Sequence, residues 1–333
     1  MPACIRSARL ATNSEWDEAA RTCSHATFFH TRAWADLWAS VSGLEPGALC
    51  CDFTDGQRLI VPFSLKKGRR GFVRERLLSA AGTYGGALYG AGVTLEHLLA
   101  AIRCLARGHS ISWRLSPYEP YAGEIAVVLS TRSTNFPHSW KRHENSSETL
   151  ALDDLRRNGG LLKHVHYNCR KQILKGQRAG ISVRLAVAAD EWQDFMGLYR
   201  DAVARWGEKA TMSYPDKLFQ ALQILDPEAC RLWLAYHEGR LVGGSVNFYH
   251  NRHAVEWLAA YDPGSFPLGV RNRLTWHMIE HAMAINGSIY DFNPSGTLEG
   301  TRRFKQTFNT CQRQTPLLVR RTMLRCALEW IGR

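Results

Sequence analysis

The chain has 333 residues, which predicts about two domains. Its 45% apolar and 22% charged residues exclude a disordered or fibrous protein. No run approaches the roughly 18 apolar residues that a membrane span needs, so we expect no stable membrane insertion. Its 42 basic against 30 acidic residues give a net charge of +12, which favours an anionic partner such as nucleic acid, a phosphorylated substrate or a membrane surface.

The nine cysteines are odd in number and scattered, and no C-x-x-C pair occurs. This pattern argues against a zinc site and against a thioredoxin-type redox motif. Near the N-terminus, Arg6, Arg9 and Glu15 interrupt the apolar core that a signal peptide would require. We therefore expect a cytoplasmic protein with reduced cysteines.

The first half of the chain predicts helices and strands in alternation. Thr31 is placed to cap a helix within 27–42, and Asp55-Gly56 is typical of a hairpin turn within 47–64. The spacing of apolar residues then predicts a helix over 94–107 and strands over 111–115 and 124–130. Between them lie a basic segment, 66–76, and the glycine-rich stretch 82–92. The glycine-rich stretch fits no phosphate-loop pattern and is better read as a turn between strands.

The polar stretch 131–149 predicts a connection between two domains, 1–145 and 146–333. The second half contains a clear β signal, a three-stranded meander over 230–262. The elements predicted around it are strands at 148–152, 181–187 and 288–292, and helical segments at 153–179, 189–206, 270–285 and 299–309. This order predicts an α/β domain with a mixed sheet.

The most basic part of the second half runs from Arg156 to Arg184 and contains eight lysines or arginines but no acid. On a helix, Lys171, Lys175 and Arg178 occupy positions i, i+4 and i+7, which is one face. A solvated helix face is one interpretation. The absence of compensating carboxylates makes a phosphate-facing surface at least as well supported.

Sequence motifs of serine hydrolases and zinc proteases are absent or incomplete. No G-x-S-x-G or H-E-x-x-H occurs, and Gly243-Gly244-Ser245 falls inside a predicted strand. His277, Glu280 and His281 form an H-x-x-E-H pattern, but no third ligand accompanies it. We therefore predict no metal site.

Four stretches together resemble the FemAB-like branch of the Gcn5-related N-acyltransferase (GNAT) superfamily. They are Thr27–Trp34, Tyr84–Gly86, Asn168–Val183 and Tyr290–Phe308. The third is similar to the family's basic helix and following strand, and the fourth to its Phe-Asp-Phe…Phe-Lys-x-x-Phe ending. The resemblance implies an α/β (α+β) fold of two tandem GNAT-like domains, each a mixed twisted sheet flanked by helices, with a cleft between them. Asn293 and Asn309 stand where the family has glycine, and no coiled-coil insertion occurs.

Members of this family transfer an amino acid from aminoacyl-tRNA to an amine, and a related branch uses acyl-CoA. The resemblance places Lys305 at the lysine that stabilises charge in the active site. The 22 basic residues in 66–76, 155–189 and 300–333 suit a tRNA acceptor end, and the CoA pattern is incomplete around Gly269. We therefore favour aminoacyl-tRNA as donor, with a small peptide, nucleoside-peptide or peptidoglycan-precursor acceptor and no cofactor. An acyl-CoA-dependent N-acyltransferase and a non-catalytic RNA-binding module remain alternatives.

The candidate site residues follow from that hypothesis. Lys305 would stabilise the oxyanion, and Asp291 is a candidate general base. Residues expected to hold donor or acceptor are Arg170, Lys171, Lys175, Arg303 and Phe304. Trp34, Tyr84, Trp257 and Tyr261 are candidate cleft walls, with a place in the core as the alternative for each. We expect a monomer.

Overall fold

A computed structural model describes residues 3–68, 74–131, 140–207, 213–296 and 298–322. The chain divides into two compact units, Met1–Asn145 with Gln314–Arg333, and Ser146–Arg313. Each unit has its own sheet and apolar core. Parts of the predicted basic segment 66–76, of the polar stretch 131–149 and of the basic stretch 300–333 lie outside the described residues.

The first unit is built on a sheet whose strand order is β1-β2-β3-β4-β6-β15-β7, with β5 paired to β3. Numbered along the whole chain, its strands are β1 (Ile5–Leu10), β2 (Glu45–Phe53), β3 (Arg58–Lys67), β4 (Arg74–Leu77), β5 (Leu88–Tyr89), β6 (Ser110–Arg114), β7 (Trp140–His143) and β15 (Leu317–Arg320). Its helices are α1 (Asn13–Thr22), α2 (Arg32–Ser42), α3 (Leu95–Leu105) and α4 (Ala122–Ser130). Strands β4 and β6 are parallel, and α3 lies between them in sequence.

Local sequence signals explain several of these elements. The Thr31 side chain accepts a hydrogen bond from the backbone N–H of Trp34 and caps α2, as predicted. The predicted hairpin is β2 and β3, and Gly56 in its turn has φ +89°, a conformation that glycine adopts without strain.

The strand predicted over 124–130 is wrong, because this segment is helix α4. Its buried residues are Ile125, Ala126 and Leu129, at the i, i+1 and i+4 spacing of a helix face, while Val127 is 56% exposed. A short apolar run does not by itself distinguish a strand from a helix.

The second unit has a seven-stranded sheet of order β14-β8-β13-β12-β11-β10-β9. Its strands are β8 (Ser146–Ala151), β9 (Ser182–Leu185), β10 (Cys230–His237), β11 (Arg240–His250), β12 (His253–Tyr261), β13 (Ile289–Pro294) and β14 (Cys311–Gln314). Its helices are α5 (Leu152–Arg157), α6 (Leu161–His164), α7 (Tyr167–Arg178), α8 (Ala189–Trp206), α9 (Asp216–Gln223), α10 (Val270–Ala284) and α11 (Glu299–Gln306). Strands β12 and β13 are parallel and α10 connects them, while the other pairs formed among β8 to β13 are antiparallel.

The predicted meander is confirmed as β10, β11 and β12. Both of its turns contain two residues with positive φ, Glu238-Gly239 and Asn251-Arg252. Such turns match the right-handed twist of paired strands, so they fix the register of the meander.

The predicted helical region 153–179 is three helices rather than one. Gly159 and Gly160, with φ +85° and +88°, separate α5 from α6. The chain turns again before α7, whose buried residues Cys169 and Ile173 pack into the core of the second unit.

The predicted second domain, 146–333, includes residues that the structure assigns to the first unit. Strand β15 pairs with β6 on one side and β7 on the other. Buried Leu318 joins the apolar core of the first unit. The C-terminal part of the described chain therefore completes the first sheet.

Candidate active site

The parallel pair β12 and β13 positions the candidate site. Their pairing covers three positions and ends at Val255 opposite Asp291. On its other side, β12 pairs with β11, and the register shifts between Val246–Leu258 and Asn247–Glu256, so Trp257 is an extra, bulged residue. The bulge and the end of the parallel ladder interrupt the backbone pairing around Glu256. Such interruptions are where a sheet accommodates a site.

Glu256 is held by a chain of polar side chains drawn from neighbouring strands. The Tyr290 hydroxyl donates to Glu256 Oε2 over 3.0 Å, and Asn247 Nδ2 donates to the Tyr290 oxygen over 3.3 Å. Ser245 in turn donates to Asn247 Oδ1. Burial raises the pKa of Glu256, against the opposing influence of Lys305, Tyr290 and Arg271. The Glu256 carboxyl therefore exchanges its proton at a pH closer to neutral than an exposed glutamate does.

Lys305 lies on α11 and is the one buried lysine among the described residues, with 7% of its surface exposed. Its Nζ donates a hydrogen bond to the backbone oxygen of Asn293 over 2.6 Å. Burial lowers the pKa of Lys305 to about 8, although the charges of Glu256, Asp291 and Glu148 raise it. A buried amine is costly, and here the carboxylates compensate it. The side chain thus remains mostly a cation at neutral pH.

Asp291, the predicted candidate base, is completely buried on β13. Its Oδ1 accepts hydrogen bonds from Ser147 Oγ at 2.5 Å and from the Asn293 backbone N–H at 2.7 Å. These contacts fix the turn that presents the Asn293 oxygen to Lys305. Asp291 thus supports the turn whose Asn293 oxygen accepts from Lys305. Glu256, which the sequence analysis did not select, is a second carboxylate whose charge acts on that lysine.

The two asparagines that replace the family glycines adopt left-handed backbone conformations. Asn293 has φ +60° and Asn309 has φ +58°. Asparagine is among the few residues other than glycine that tolerate this region. These departures from the motif therefore keep the backbone shape that glycine would give.

Arg271 lies at the start of α10, close enough to Lys305 for its charge to act on the lysine. Its guanidinium lies over the Phe304 ring at 4.0 Å from the centroid, and 5.7 Å from the Tyr261 and Phe266 rings. Its Nε is buried without a hydrogen-bond partner. Helix α10 begins at Val270, and the preceding N-cap residue, Gly269, provides no capping side chain. Backbone N–H groups and a fixed guanidinium thus meet at one end of this helix.

The other predicted basic residues take different places. Lys171 and Lys175 are exposed on α7, and Arg170 is partly buried on the same helix with its Nε unpaired. Arg303 is exposed and pairs with Glu299 one turn earlier on α11. Lys305 therefore differs from these four predicted residues, because it is buried with carboxylates around it.

The predicted aromatic residues are divided between the two units. Trp34 and Tyr84 lie in the first unit, 1% and 0% exposed, and both pack against Phe29. Trp257 packs against Tyr214 and Phe248 in the second unit. Tyr261 and Phe304 approach Arg271. Among these aromatics, the last two therefore contact the charged part of the candidate site.

Metal ligands do not assemble in the part of the chain that the structure describes, since no group of three or more His, Cys, Asp or Glu side chains could hold an ion. In the H-x-x-E-H pattern, His281 Nε2 already accepts a hydrogen bond from Arg231 Nη1. Among the described helices, none is long and apolar enough to cross a membrane.

One sequence signal identifies the missed residue. Glu256 is the single acid in the strand His253–Tyr261, where the neighbouring residues are mostly apolar. A lone carboxylate in a buried strand requires a partner, and here Tyr290 provides the hydrogen bond while Lys305 provides the opposite charge. Its position opposite Asn247 depends on the bulge, which the sequence does not reveal.

Residues 163–306 match the family model of the acetyltransferase (GNAT) domain, which includes α7, the meander and Lys305. The crystal structure of FemX superposes with a TM-score of 0.70 at 12% identity, covering 94% of this chain and 96% of FemX. The chain therefore shares the fold of FemX, and part of its second half matches the GNAT acetyltransferase domain. The tandem GNAT-like architecture expected from the resemblance is thereby confirmed.

Two further structures share this fold. The C-terminal domain of a putative lysylphosphatidylglycerol synthetase from Agrobacterium fabrum has a TM-score of 0.57 at 11% identity, covering 96% of this chain and 95% of that domain. L-PGS from Bacillus licheniformis has a TM-score of 0.53 at 13% identity, covering 83% and 85% of the two chains. No curated protein gives a significant sequence match.

Proposed function

We propose that this protein is an aminoacyltransferase that moves an aminoacyl group from aminoacyl-tRNA to an amine of a small peptide, nucleoside-peptide or peptidoglycan precursor. The observation that carries the proposal is Lys305, a buried cation held by the Asn293 carbonyl among three carboxylates. It belongs to a chain that shares its fold with FemX and with two lysylphosphatidylglycerol synthetase structures. Because aminoacyl-tRNA is made in the cytoplasm, the proposal includes a cytoplasmic location.

The proposed reaction is aminolysis of the ester that joins the amino acid to tRNA. The acceptor amine attacks the ester carbonyl, a C–N bond forms, and the carbonyl oxygen becomes an oxyanion. Lys305 stabilises that oxyanion as a cation in a buried site, where charge interactions are strong. The C–O bond then breaks, and the tRNA hydroxyl leaves with a proton. Positioning of an already activated ester supplies much of the rate.

Glu256 is proposed to remove the proton that the acceptor nitrogen carries. Burial raises the pKa of its carboxyl, so it exchanges protons nearer neutral pH than an exposed glutamate. Tyr290 and Asn247 fix its orientation. The proton can pass from the amine to Glu256 and then to the leaving hydroxyl, so that none is left over at the end of the reaction.

An acyl-CoA-dependent N-acyltransferase is the second candidate function. It is favoured by the uncapped start of α10 at Gly269 with Arg271 beside it, an arrangement that suits a diphosphate. The matching family model is also named for acetyltransferases. Aminoacyl-tRNA remains the preferred donor because the net charge of +12 exceeds what a small nucleotide needs.

The decisive experiment offers each donor separately. Purified protein is incubated with labelled aminoacyl-tRNA or labelled acetyl-CoA, in each case with a panel of amines and short peptides. We expect label to pass from tRNA to an amine, and Lys305→Ala to slow that transfer about 100- to 1,000-fold. Consumption of acetyl-CoA alone would establish the second function. Binding of tRNA without transfer to any amine would indicate an RNA-binding module.

A further inference from the structure

Helix α7 carries an exposed line of residues that the proposed chemistry does not use. Tyr167, Lys171, Lys175 and Arg178 are spaced at i, i+4, i+8 and i+11, and all four are exposed. The opposite side of the helix, with Cys169 and Ile173, is buried in the core. We call these four residues the α7 stripe. Because the buried side of α7 packs in the core, the orientation of the helix is fixed and the α7 stripe faces solvent.

The charge on this stripe is uncompensated. Within the described part of the chain, Lys171 and Lys175 form no ion pair, and Arg178 only donates from Nε to the Leu174 carbonyl. Many other exposed arginines are paired, as Arg303 is with Glu299. No acid occurs between Arg156 and Arg184. An unpaired row of cations along one helix suits a polyanion whose phosphates follow one another.

Tyr167 gives the stripe a second property, because its ring is 75% exposed at the first position of α7. A bare aromatic ring beside lysines is the combination that binds single-stranded nucleic acid, since bases stack on the ring while the cations follow the backbone. Paired bases in a duplex do not offer a free face for such stacking.

The stripe begins next to the candidate active site. The backbone N–H of His166, the residue before Tyr167, donates to the Thr307 carbonyl over 3.1 Å, and Thr307 is two residues after Lys305. His164 Nε2 also bonds to the Asn309 carbonyl. From Tyr167 the 12-residue helix is about 18 Å long. A strand lying along α7 would thus bring its end to the region of Lys305.

We propose that the α7 stripe binds the single-stranded 3′ end of the donor tRNA, with a terminal base stacked on Tyr167 and successive phosphates on Lys171, Lys175 and Arg178. This inference rests on the proposed function, because it assigns the place of its donor. An anionic membrane surface is the competing occupant. It is disfavoured because the apolar residues of α7 are mostly turned into the core, leaving Tyr167 and a 37% exposed Leu174 to enter a bilayer.

The test measures binding of uncharged tRNA, which requires no transfer. Lys171→Glu with Lys175→Glu should weaken binding and reduce the slope of log affinity against log salt by about 0.7 for each lost phosphate contact. Tyr167→Ala should weaken binding roughly 5- to 150-fold, as expected for one stacked base, and Tyr167→Phe should retain wild-type affinity. The matched control is Arg107→Glu with Lys217→Glu, which reverses the same charge at exposed positions outside α7.

The outcomes separate the inference from the function. If wild-type protein transfers from aminoacyl-tRNA but the α7 and control variants bind tRNA alike, the inference is overturned and the function stands. Tighter binding to a duplex RNA than to a single strand of the same sequence would also overturn it. If Lys171→Glu with Lys175→Glu abolishes binding to phosphatidylglycerol vesicles but leaves tRNA binding intact, the stripe is a membrane surface. Acetyl-CoA consumption without tRNA binding would reject both proposals.

Discussion

The two units share an arrangement but bury different charges. In each, two parallel strands are separated in sequence by a helix that follows the first strand, β4 and β6 with α3, and β12 and β13 with α10. The first unit buries Glu119, whose Oε1 accepts from the Tyr89 hydroxyl and whose Oε2 lies 3.8 Å from His25. The second buries Lys305 among three carboxylates. A repeated fold therefore supports distinct side-chain chemistry.

That difference indicates where function resides. Groups such as Glu119, His25 and Tyr89 can share protons and remain nearly neutral, and burial raises the pKa of Glu119 toward that state. A buried lysine with several carboxylates costs more desolvation and is rarely kept for stability alone. Perturbed groups of this kind concentrate at functional sites. Under the proposed function, the chemistry therefore lies in the second unit.

The largest expected effect tests this assignment directly. Lys305→Ala should lower turnover about 100- to 1,000-fold, because it removes the cation from the oxyanion. Glu119→Gln, its counterpart in the first unit, should leave turnover at saturating substrate unchanged. Steady-state kinetics measures both, with thermal unfolding to confirm that each variant is folded. Equal losses in two folded variants would place chemistry in both units.

The next effect concerns the cores of the two units. Leu318 and Leu274 are both fully buried, the first on β15 and the second on α10. Replacement of either by alanine should cost about 2–5 kcal/mol of the free energy of unfolding. Hydrogen exchange should show reduced protection in β6 for Leu318→Ala and in β13 for Leu274→Ala. Loss of protection in β13 from Leu318→Ala would show that the units do not unfold separately.

A smaller expected effect is a difference between the two units in how acidification changes their stability. Burial and the nearby Arg231 lower the pKa of His281 to about 4. The unfolded chain binds this proton near pH 6.5, so the stability from His281 is complete above pH 6.5 and is lost as the pH falls toward 4. For His25, burial is outweighed by Cys23 and Glu119, which raise its pKa, so acidification over the same range does not remove its contribution.

Acidification from pH 7 to 5 should therefore reduce protection from hydrogen exchange in the second unit more than in the first. His281→Gln, which retains an acceptor for Arg231, should reduce the pH dependence of the second unit. An unchanged pH dependence in this variant would mean that another group is responsible.

The smallest effect concerns the left-handed asparagines. Asn309→Gly restores the glycine of the family motif, and we expect a change in unfolding free energy below about 1 kcal/mol. Asn309→Ala should lower the free energy of unfolding by about 1–2 kcal/mol, because alanine lacks the short polar side chain that lets asparagine adopt φ +58°. Thermal unfolding of the two variants measures the difference. Equal losses in the two variants would assign the stability to the asparagine amide, which donates to the His164 carbonyl and which both variants lack.

Much of the second unit could be predicted from the sequence because its signals are local. The meander is marked by apolar strands and tight turns, and α8 begins and ends at the predicted residues, 189 and 206. The strand predicted over 124–130 is wrong because a short apolar run fits a strand or a helix, and this segment is helical in the structure. The family motif predicts Lys305 from the sequence, whereas the partners of Glu256 depend on the bulge at Trp257 and on the parallel strand β13, which the sequence does not reveal.

The path of the chain has a consequence for synthesis. Among the described strands, β7 pairs within the first sheet only with β15, which is translated after all of the second unit. Until β15 emerges from the ribosome, β6 has no partner on that side and β7 has none in its sheet. An unpaired strand edge invites association with other chains. Nascent molecules that stop before residue 314 should therefore depend on chaperones, although the candidate active site is already complete in them.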